Sequence, residues 1–314
     1  MKTKIIFFGT PNFAVGILDE IQKSEFTIVA VVTSVDKKSG RGRKIKSSAV
    51  KNYCLTNEIK LYQPKSLIDK VFISKLRIHK ADIFIVVAFR MIPKVVWSIP
   101  KKGTFNLHAS LLPNYRGAAP INWVLINQEK MTGLTTFFID EKIDTGEILL
   151  KKECKIKNDE TFDSLHEKLL KLGKELVINT IIGLTSNVLL PIKQANPKYL
   201  KIAPKLNKEN TKINWNQPMN QIVSFINGLN SYPGAWSEIN DNGLVNTFKI
   251  YNCRLEYSDH NVKINDLIIA NKQIKISHKE GFLIIESLKL PGKKQLTSIE
   301  LLNGYCFDTG VFVS

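Results

Sequence analysis

Lys4-Ile5-Ile6-Phe7-Phe8-Gly9-Thr10-Pro11 opens the chain with an apolar run that a glycine and a proline bring to a stop. A helical pattern follows from Phe13 to about Ser24, with Val15, Leu18 and Ile21 spaced for one face. A second apolar run, Thr27 to Thr33, comes at once. Strand, helix and strand in this order form a β-α-β unit, whose parallel strands need a right-handed crossover. The Gly9-Thr10-Pro11 turn is not the G-x-G-x-x-G of dinucleotide loops, and a tight strand-to-helix turn explains it equally well.

Further buried-strand patterns lie at Ile83–Ala88 and Gly103–His108, and a later pair at Thr135–Ile139 and Glu147–Lys155. A helix is expected from about Thr161 to Gly183, with Leu165, Leu169, Leu172, Leu176 and Ile182 on its apolar side. Residues 1–189 therefore read as an α/β domain, a Rossmann-like parallel sheet with helices. Residues 190–208 hold Pro191, Pro197 and Pro204, five lysines and no acid, which is a linker by composition. Residues 209–314 carry one helical pattern, Met219–Leu229, and turn-separated β-type runs including Thr247–Tyr251, Gln273–Ser277 and Gly281–Lys289. A small C-terminal β-barrel is expected there.

The 314 residues carry 45 Lys and Arg against 28 Asp and Glu, a net charge of +17. With 44% hydrophobic residues, global disorder is excluded. The N-terminal apolar run is too short for a signal peptide, and no run is long enough for a membrane helix, so a soluble cytoplasmic protein without a membrane partner is expected. Cys54, Cys154, Cys253 and Cys306 form no C-x-x-C and have no histidine at metal-ligand spacing; reduced thiols and no metal are expected.

The charge is not spread evenly. Residues 1–208 carry all of the net +17, and residues 209–314 balance at ten basic and ten acidic. Lys37-Lys38-Ser39-Gly40-Arg41-Gly42-Arg43-Lys44-Ile45-Lys46 has six basic residues and no acid, and the 190–208 segment adds five more. This concentration points to a polyanionic partner.

Chemistry is concentrated in Asn106-Leu107-His108, at the end of a strand, where open α/β sheets place their ligand sites. Two residues apart on a strand, Asn106 and His108 project to one face. An amide donor beside an imidazole can polarise a carbonyl and hold an oxyanion. Asp144, in Asp144-Thr145-Gly146, could orient His108 and set its protonation state.

These residues, with Ser110-Leu111-Leu112-Pro113, Tyr115-Arg116-Gly117-Ala118-Ala119-Pro120, the Gly40–Arg43 loop, Ala203-Pro204-Lys205, Ile213-Asn214-Trp215 and Tyr232-Pro233-Gly234-Ala235-Trp236, resemble the folate-dependent formyltransferases over essentially the whole chain. The basic loop and the second domain narrow the resemblance to those acting on methionyl-tRNA. It implies formyl transfer from 10-formyltetrahydrofolate to the amino group of methionine on initiator methionyl-tRNA, with no metal, by a monomer. Asn106, His108 and Asp144 take the catalytic roles. Ser110, Leu111, Leu112, Pro113, Phe89, Arg90, Met91, Ile92 and Asp140 take the folate. Arg41, Arg43, Lys44, Lys46 and Lys205 meet tRNA, together with an OB-like barrel. Since residues 209–314 have no net charge, that barrel either uses a local basic face from Lys272, Lys275, Lys279, Lys289, Lys293 and Lys294 or contributes less than the linker does. The alternatives are a related formyltransferase or deformylase acting on a nucleotide or sugar nucleotide, and a catalytically silent RNA-binding protein on this scaffold.

Overall fold

The computed structural model describes residues 2–39, 44–241 and 243–314, with side chains at 38, 39, 44 and 45 left aside. The chain divides into two compact units. One contains residues 1–117, 131–155 and 166–202; the other contains 118–130, 156–165 and 203–314.

The first unit is built on a seven-stranded sheet. Its strands in chain order are β1 (Lys4–Gly9), β2 (Thr27–Val32), β3 (Leu61–Tyr62), β4 (Ile83–Val87), β5 (Thr104–His108), β6 (Met131–Phe138) and β7 (Ile148–Lys155). They lie in the spatial order β7-β6-β5-β4-β1-β2-β3. The strands from β3 to β5 are parallel, as the opening β-α-β reading requires. β6 runs antiparallel to β5, and β7 antiparallel to β6. Ile5, Ile6, Phe7 and Phe8 are fully buried, as expected for strands covered on both faces.

Helix α1 (Asn12–Lys23) buries Phe13, Ala14, Ile17, Leu18 and Ile21. Val15, expected on that face, is only half-buried. Gly9 matters at the turn, because a Cβ there would lie 2.6 Å from the Ala14 Cβ. Helices α2 (Ala49–Thr56) and α3 (Lys70–Ile78) start at Ser48 and Asp69, whose side chains accept the backbone amides of Lys51 and Phe72. Neither helix was expected from periodicity; their short apolar stripes are mixed with lysines. Helix α4 (Pro120–Ile126) belongs to the second unit. The long helix α5 (Phe162–Thr185) buries Leu165, Leu169, Leu176, Val177, Ile181 and Leu184. Ile182 is 46% exposed rather than on the apolar side, because the buried stripe follows the 3.6-residue period through Ile181.

In the second unit, α6 (Met219–Leu229) packs against α4: the Asn122 amide donates to the Gly228 carbonyl at 2.7 Å. Beyond it a six-strand path forms from β8 (Ala235–Asp241), β9 (Leu244–Tyr257), β10 (Leu267–Ala270), β11 (Gln273–His278), β12 (Gly281–Lys289) and β13 (Phe312–Val313). The order is β10-β11-β12-β9-β8-β13, antiparallel throughout. The Leu267 amide donates to the Val311 carbonyl, and the Val313 amide to the Asn265 carbonyl, which brings the first strand of the path to the last and nearly closes a barrel. Its core includes Ile222, Ile226, Ile239, Phe248, Ile250, Ile276, Leu283 and Ile285.

Gly133 sits where the β6–β7 ladder leaves no room for a side chain: a Cβ would lie 2.2 Å from the Lys152 carbonyl oxygen. Gly133→Ala is expected to lower stability by about 1–3 kcal/mol, read as a shift of the urea midpoint. An unchanged midpoint would show that the ladder yields there.

Candidate active site

Strand β5 is buried at every position except Asn106, which is half-buried. His108 is 6% exposed and lies edge-on to the Phe137 ring. Its Nε2 donates to the Tyr115 carbonyl at 2.8 Å. A carbonyl can only accept, so Nε2 carries a hydrogen and Nδ1 is the nitrogen left to exchange a proton. Nδ1 faces the Asp144 Oδ2 at 3.7 Å, which is ion-pair distance and longer than a hydrogen bond. The imidazole is thus oriented by a backbone carbonyl, with the carboxylate beside its free nitrogen.

Asp144 is held by its surroundings. Its φ is +55°, a left-handed conformation uncommon outside glycine and better tolerated by Asp and Asn. Its Oδ2 accepts the Gly117 amide at 2.9 Å. Its carbonyl accepts the Gln194 side-chain amide at 2.9 Å. Gly146 follows closely, where a Cβ would overlap the Phe138 carbonyl oxygen at 1.7 Å. The loop before it is tied by Asp140, whose two oxygens accept the Thr145 hydroxyl at 2.7 and 2.9 Å and whose Oδ1 also accepts the Lys142 amide at 3.0 Å.

The structure separates the expected ligand-lining residues. Leu111, Pro113 and Phe89 are half-buried, and Arg90 and Met91 are exposed. Ser110 and Leu112, also expected to take the folate, are fully buried, so in this segment only backbone and the Leu111 and Pro113 side chains reach the surface. The Ser110 hydroxyl donates to the Asn114 carbonyl at 2.7 Å, and Leu112 packs with Phe137 and Ile148. Both shape the loop from inside. Ile92, also expected to take the folate, is 3% exposed and belongs to the core with Phe72, Leu76 and Phe84, because that core lies directly under the chain leaving β4. Asp140 spends its oxygens on its own loop. Phe89 stands edge-on to Phe8 at 5.7 Å, and Arg90 reaches back to the carbonyls of Pro64 and Lys65 at 2.6 and 3.1 Å.

Of the expected tRNA-facing residues, Arg41 and Arg43 lie outside the described residues, as does the Lys44 side chain. The flanking segments Lys37–Ser39 and Lys44–Lys46 pair antiparallel. Lys46 and Lys205 are exposed. Among the C-terminal lysines, Lys275 is neutralised by Glu256 at 2.7 and 3.0 Å and drops out of a free basic face. Lys289 stands directly opposite Lys249 on neighbouring strands. Burial, and then the Lys289 charge, pull Lys249 below the ordinary lysine range.

Four groups went unrecognised from sequence: the Tyr115 carbonyl, the Gly117 amide, Arg116 as a partner of Gln194, and Gln194 itself. The first two are backbone groups without a side-chain signature, and Gln194 lies in a segment that composition marks as linker. All four cysteines are free, and burial pushes the Cys54 thiol up to about 11, so it is not a thiolate nucleophile near neutral pH. Among the described residues no group of three or more His, Cys, Asp or Glu side chains is arranged to hold a metal, and no helix is long and apolar enough to cross a membrane.

A formyl transferase family model matches residues 1–181, and a model of the formyl transferase C-terminal domain matches residues 205–306. The chain is 50% identical over 307 residues to the methionyl-tRNA formyltransferase of Flavobacterium johnsoniae, spanning 98% of each chain. It is 43% identical to the methionyl-tRNA formyltransferase of Bacteroides thetaiotaomicron, over 98% of this chain and 97% of the other. Among solved structures, the N-formyltransferase from Helicobacter canadensis in complex with folinic acid and dTDP-3-aminofucose superposes with a TM-score of 0.62 at 25% identity, covering 92% of this chain and 99% of that one. This chain belongs to the formyl transferase family.

Ser110→Ala removes a fully buried donor and leaves the Asn114 carbonyl short of a partner. It is expected to cost about 1–3 kcal/mol of stability, measured by urea unfolding. An unchanged midpoint would mean that water reaches this hydroxyl.

Proposed function

We propose that this chain transfers the formyl group of 10-formyltetrahydrofolate to the α-amino group of methionine on initiator methionyl-tRNA, as a monomer in the cytoplasm. Supporting the acceptor is the full-length similarity to methionyl-tRNA formyltransferases. The observation that carries the chemistry is the Asp144 carboxylate 3.7 Å from the His108 imidazole, on the strand that also presents Asn106.

The reaction forms a bond from the methionyl nitrogen to the formyl carbon and breaks the bond from that carbon to N10 of the folate. A proton leaves the attacking amine and one is delivered to N10. Asn106 donates its amide to the oxygen of the formyl group, where negative charge develops on attack. Protonated at Nδ1, His108 faces the same oxygen and stabilises that charge. Asp144 is the acceptor for the amine proton, directly or through one water in the gap beside Nδ1. An α-amino group titrates near about 7.7–8.0, so a useful fraction is already neutral near pH 7 and a moderate base suffices. The half-buried Leu111, Pro113 and Phe89 and the exposed Met91 offer apolar surface to the flat ring of the folate.

The tRNA partner is served by the basic 37–46 loop and the lysines of 190–208. In the second unit, Lys249 and Lys289 stand opposite one another with like charge, an arrangement that repels in isolation and that an RNA phosphate would relieve. Binding is therefore expected to weaken as salt rises. A sugar-nucleotide acceptor, as in the complex of the Helicobacter canadensis protein, is the competing reading. A formylation assay offering charged initiator tRNA and a dTDP-amino sugar in parallel separates the two. Transfer to the sugar alone would overturn the proposal.

Asp144→Asn keeps an acceptor for the Gly117 amide and removes the base. It is expected to lower kcat roughly 10²- to 10⁴-fold with an unchanged melting temperature, and near-normal turnover would remove Asp144 from the chemistry. Arg41→Ala is expected to raise the KM for tRNA while the folate Kd, measured by calorimetry, stays within about twofold. Equal loss of both would make the loop a structural element.

A further inference from the structure

The segment 190–199 is exposed at every position except Gln194, which is half-buried. Leu190 and Tyr199 are more than four-fifths exposed, and Ile192 is 65% exposed. A polar residue turned inward among exposed apolar ones calls for a reason. Its hydrogen bonds supply one. The side-chain amide nitrogen donates to the Asp144 carbonyl at 2.9 Å and to the Gly146 carbonyl at 2.8 Å. The side-chain oxygen accepts Arg116 Nη2 at 2.6 Å and Nε at 3.2 Å. These partners fix which end of the amide is which, because two carbonyls require N–H and a guanidinium requires oxygen.

Gln194 therefore joins the two loops that flank His108. One carries Asp144, and the other runs from Tyr115, whose carbonyl orients the imidazole, to Gly117, whose amide binds the Asp144 carboxylate. The amide itself is held in register two residues upstream, where Ile192 and Ile148 exchange both backbone hydrogen bonds at 2.8 and 2.9 Å. The Asp144 carbonyl belongs to a residue in a left-handed conformation, which persists only where surrounding contacts over-determine it.

We infer that Gln194 is a positioning residue for formyl transfer, acting through Asp144. Its two N–H groups hold the 144–146 turn so that the Asp144 carboxylate stands beside His108 Nδ1. Its oxygen keeps Arg116, and with it the 115–117 loop, in step. It touches neither reacting group. The inference rests on the formyl-transfer reading for the role of Asp144.

The test compares Gln194→Ala, Gln194→Glu, Asp144→Asn and the Asp144→Asn/Gln194→Ala double variant, all as the full chain. Gln194→Glu preserves the shape and the partner of Arg116 but replaces the two donors with an acceptor, so it distinguishes the hold on Asp144 from the hold on Arg116. Kinetics use whichever amine acceptor the wild-type chain formylates. If that acceptor is a sugar nucleotide and not tRNA, the proposed function fails while this comparison still stands. Gln194→Ala and Gln194→Glu are both expected to lower kcat roughly 10- to 100-fold, with KM for the acceptor within about twofold. The double variant is expected to be no slower than Asp144→Asn alone, since Gln194 has nothing left to position. Wild-type kcat in Gln194→Glu would overturn the inference. So would a double variant slower than Asp144→Asn by the same factor that Gln194→Ala costs the wild type. Should Gln194→Ala not fold, Gln194→Glu decides on its own kcat.

Discussion

A hydrogen bond of 2.9 Å from the Gly117 amide to the Asp144 carboxylate joins two loops 27 residues apart, and the candidate site is arranged around it. The same carboxylate oxygen stands 3.7 Å from His108. Had Asp144 an ordinary backbone conformation, its side chain would leave this point. The left-handed turn is kept in place by the absence of a side chain at Gly146, by the Asp140–Thr145 hydrogen bonds and by the Gln194 amide. Each of these contacts holds backbone or loop rather than the carboxylate itself.

The sheet supplies the other half of the arrangement. β5 lies between a parallel neighbour and an antiparallel one, and its residues except Asn106 are buried. A rigid strand delivers Asn106 and His108 at a fixed spacing on one face, and the loops bring Asp144 to them. Precision thus comes from a strand, and adaptability from loops that are pinned at defined points. The basic loop at 37–46 is anchored at its base in a comparable way. Thr33 donates to the Gly9 carbonyl, and Asp36, held below the usual carboxylate range by the Lys51 ammonium beside it, ties the chain before the first lysine of the loop to α2.

Much of this was legible in the residue order. Periodicity gave the β-α-β opening, the long helix and the Met219–Leu229 helix within a residue or two. These signals are local: a strand buried on both faces is apolar without break, and an amphipathic helix repeats every 3.6 residues. Asn106, His108 and Asp144 stand out in the sequence because an amide, an imidazole and a carboxylate are side chains suited to the proposed chemistry. The resemblance names Ser110, Leu112 and Ile92 as folate residues, but it does not tell which side chains of a segment turn inward; in the fold all three are buried, since neighbours in sequence point in different directions. The antiparallel direction of β6 and β7 was not legible, since alternation in a strand does not tell which way its neighbour runs.

Residue order alone is enough to say that an α/β unit precedes a β-rich one, that Asn106 and His108 share a strand face, and that positive charge collects before residue 209. Those properties follow from spacing along the chain and from composition. Which nitrogen of His108 bonds the Tyr115 carbonyl, why Asp144 can face the other, and that a residue 50 positions further on completes the turn emerge only in the folded chain. Hydrogen bonds between backbone groups and a glutamine in a lysine- and proline-rich segment leave no periodic trace. They exist only once folding has brought those groups within 3 Å of one another.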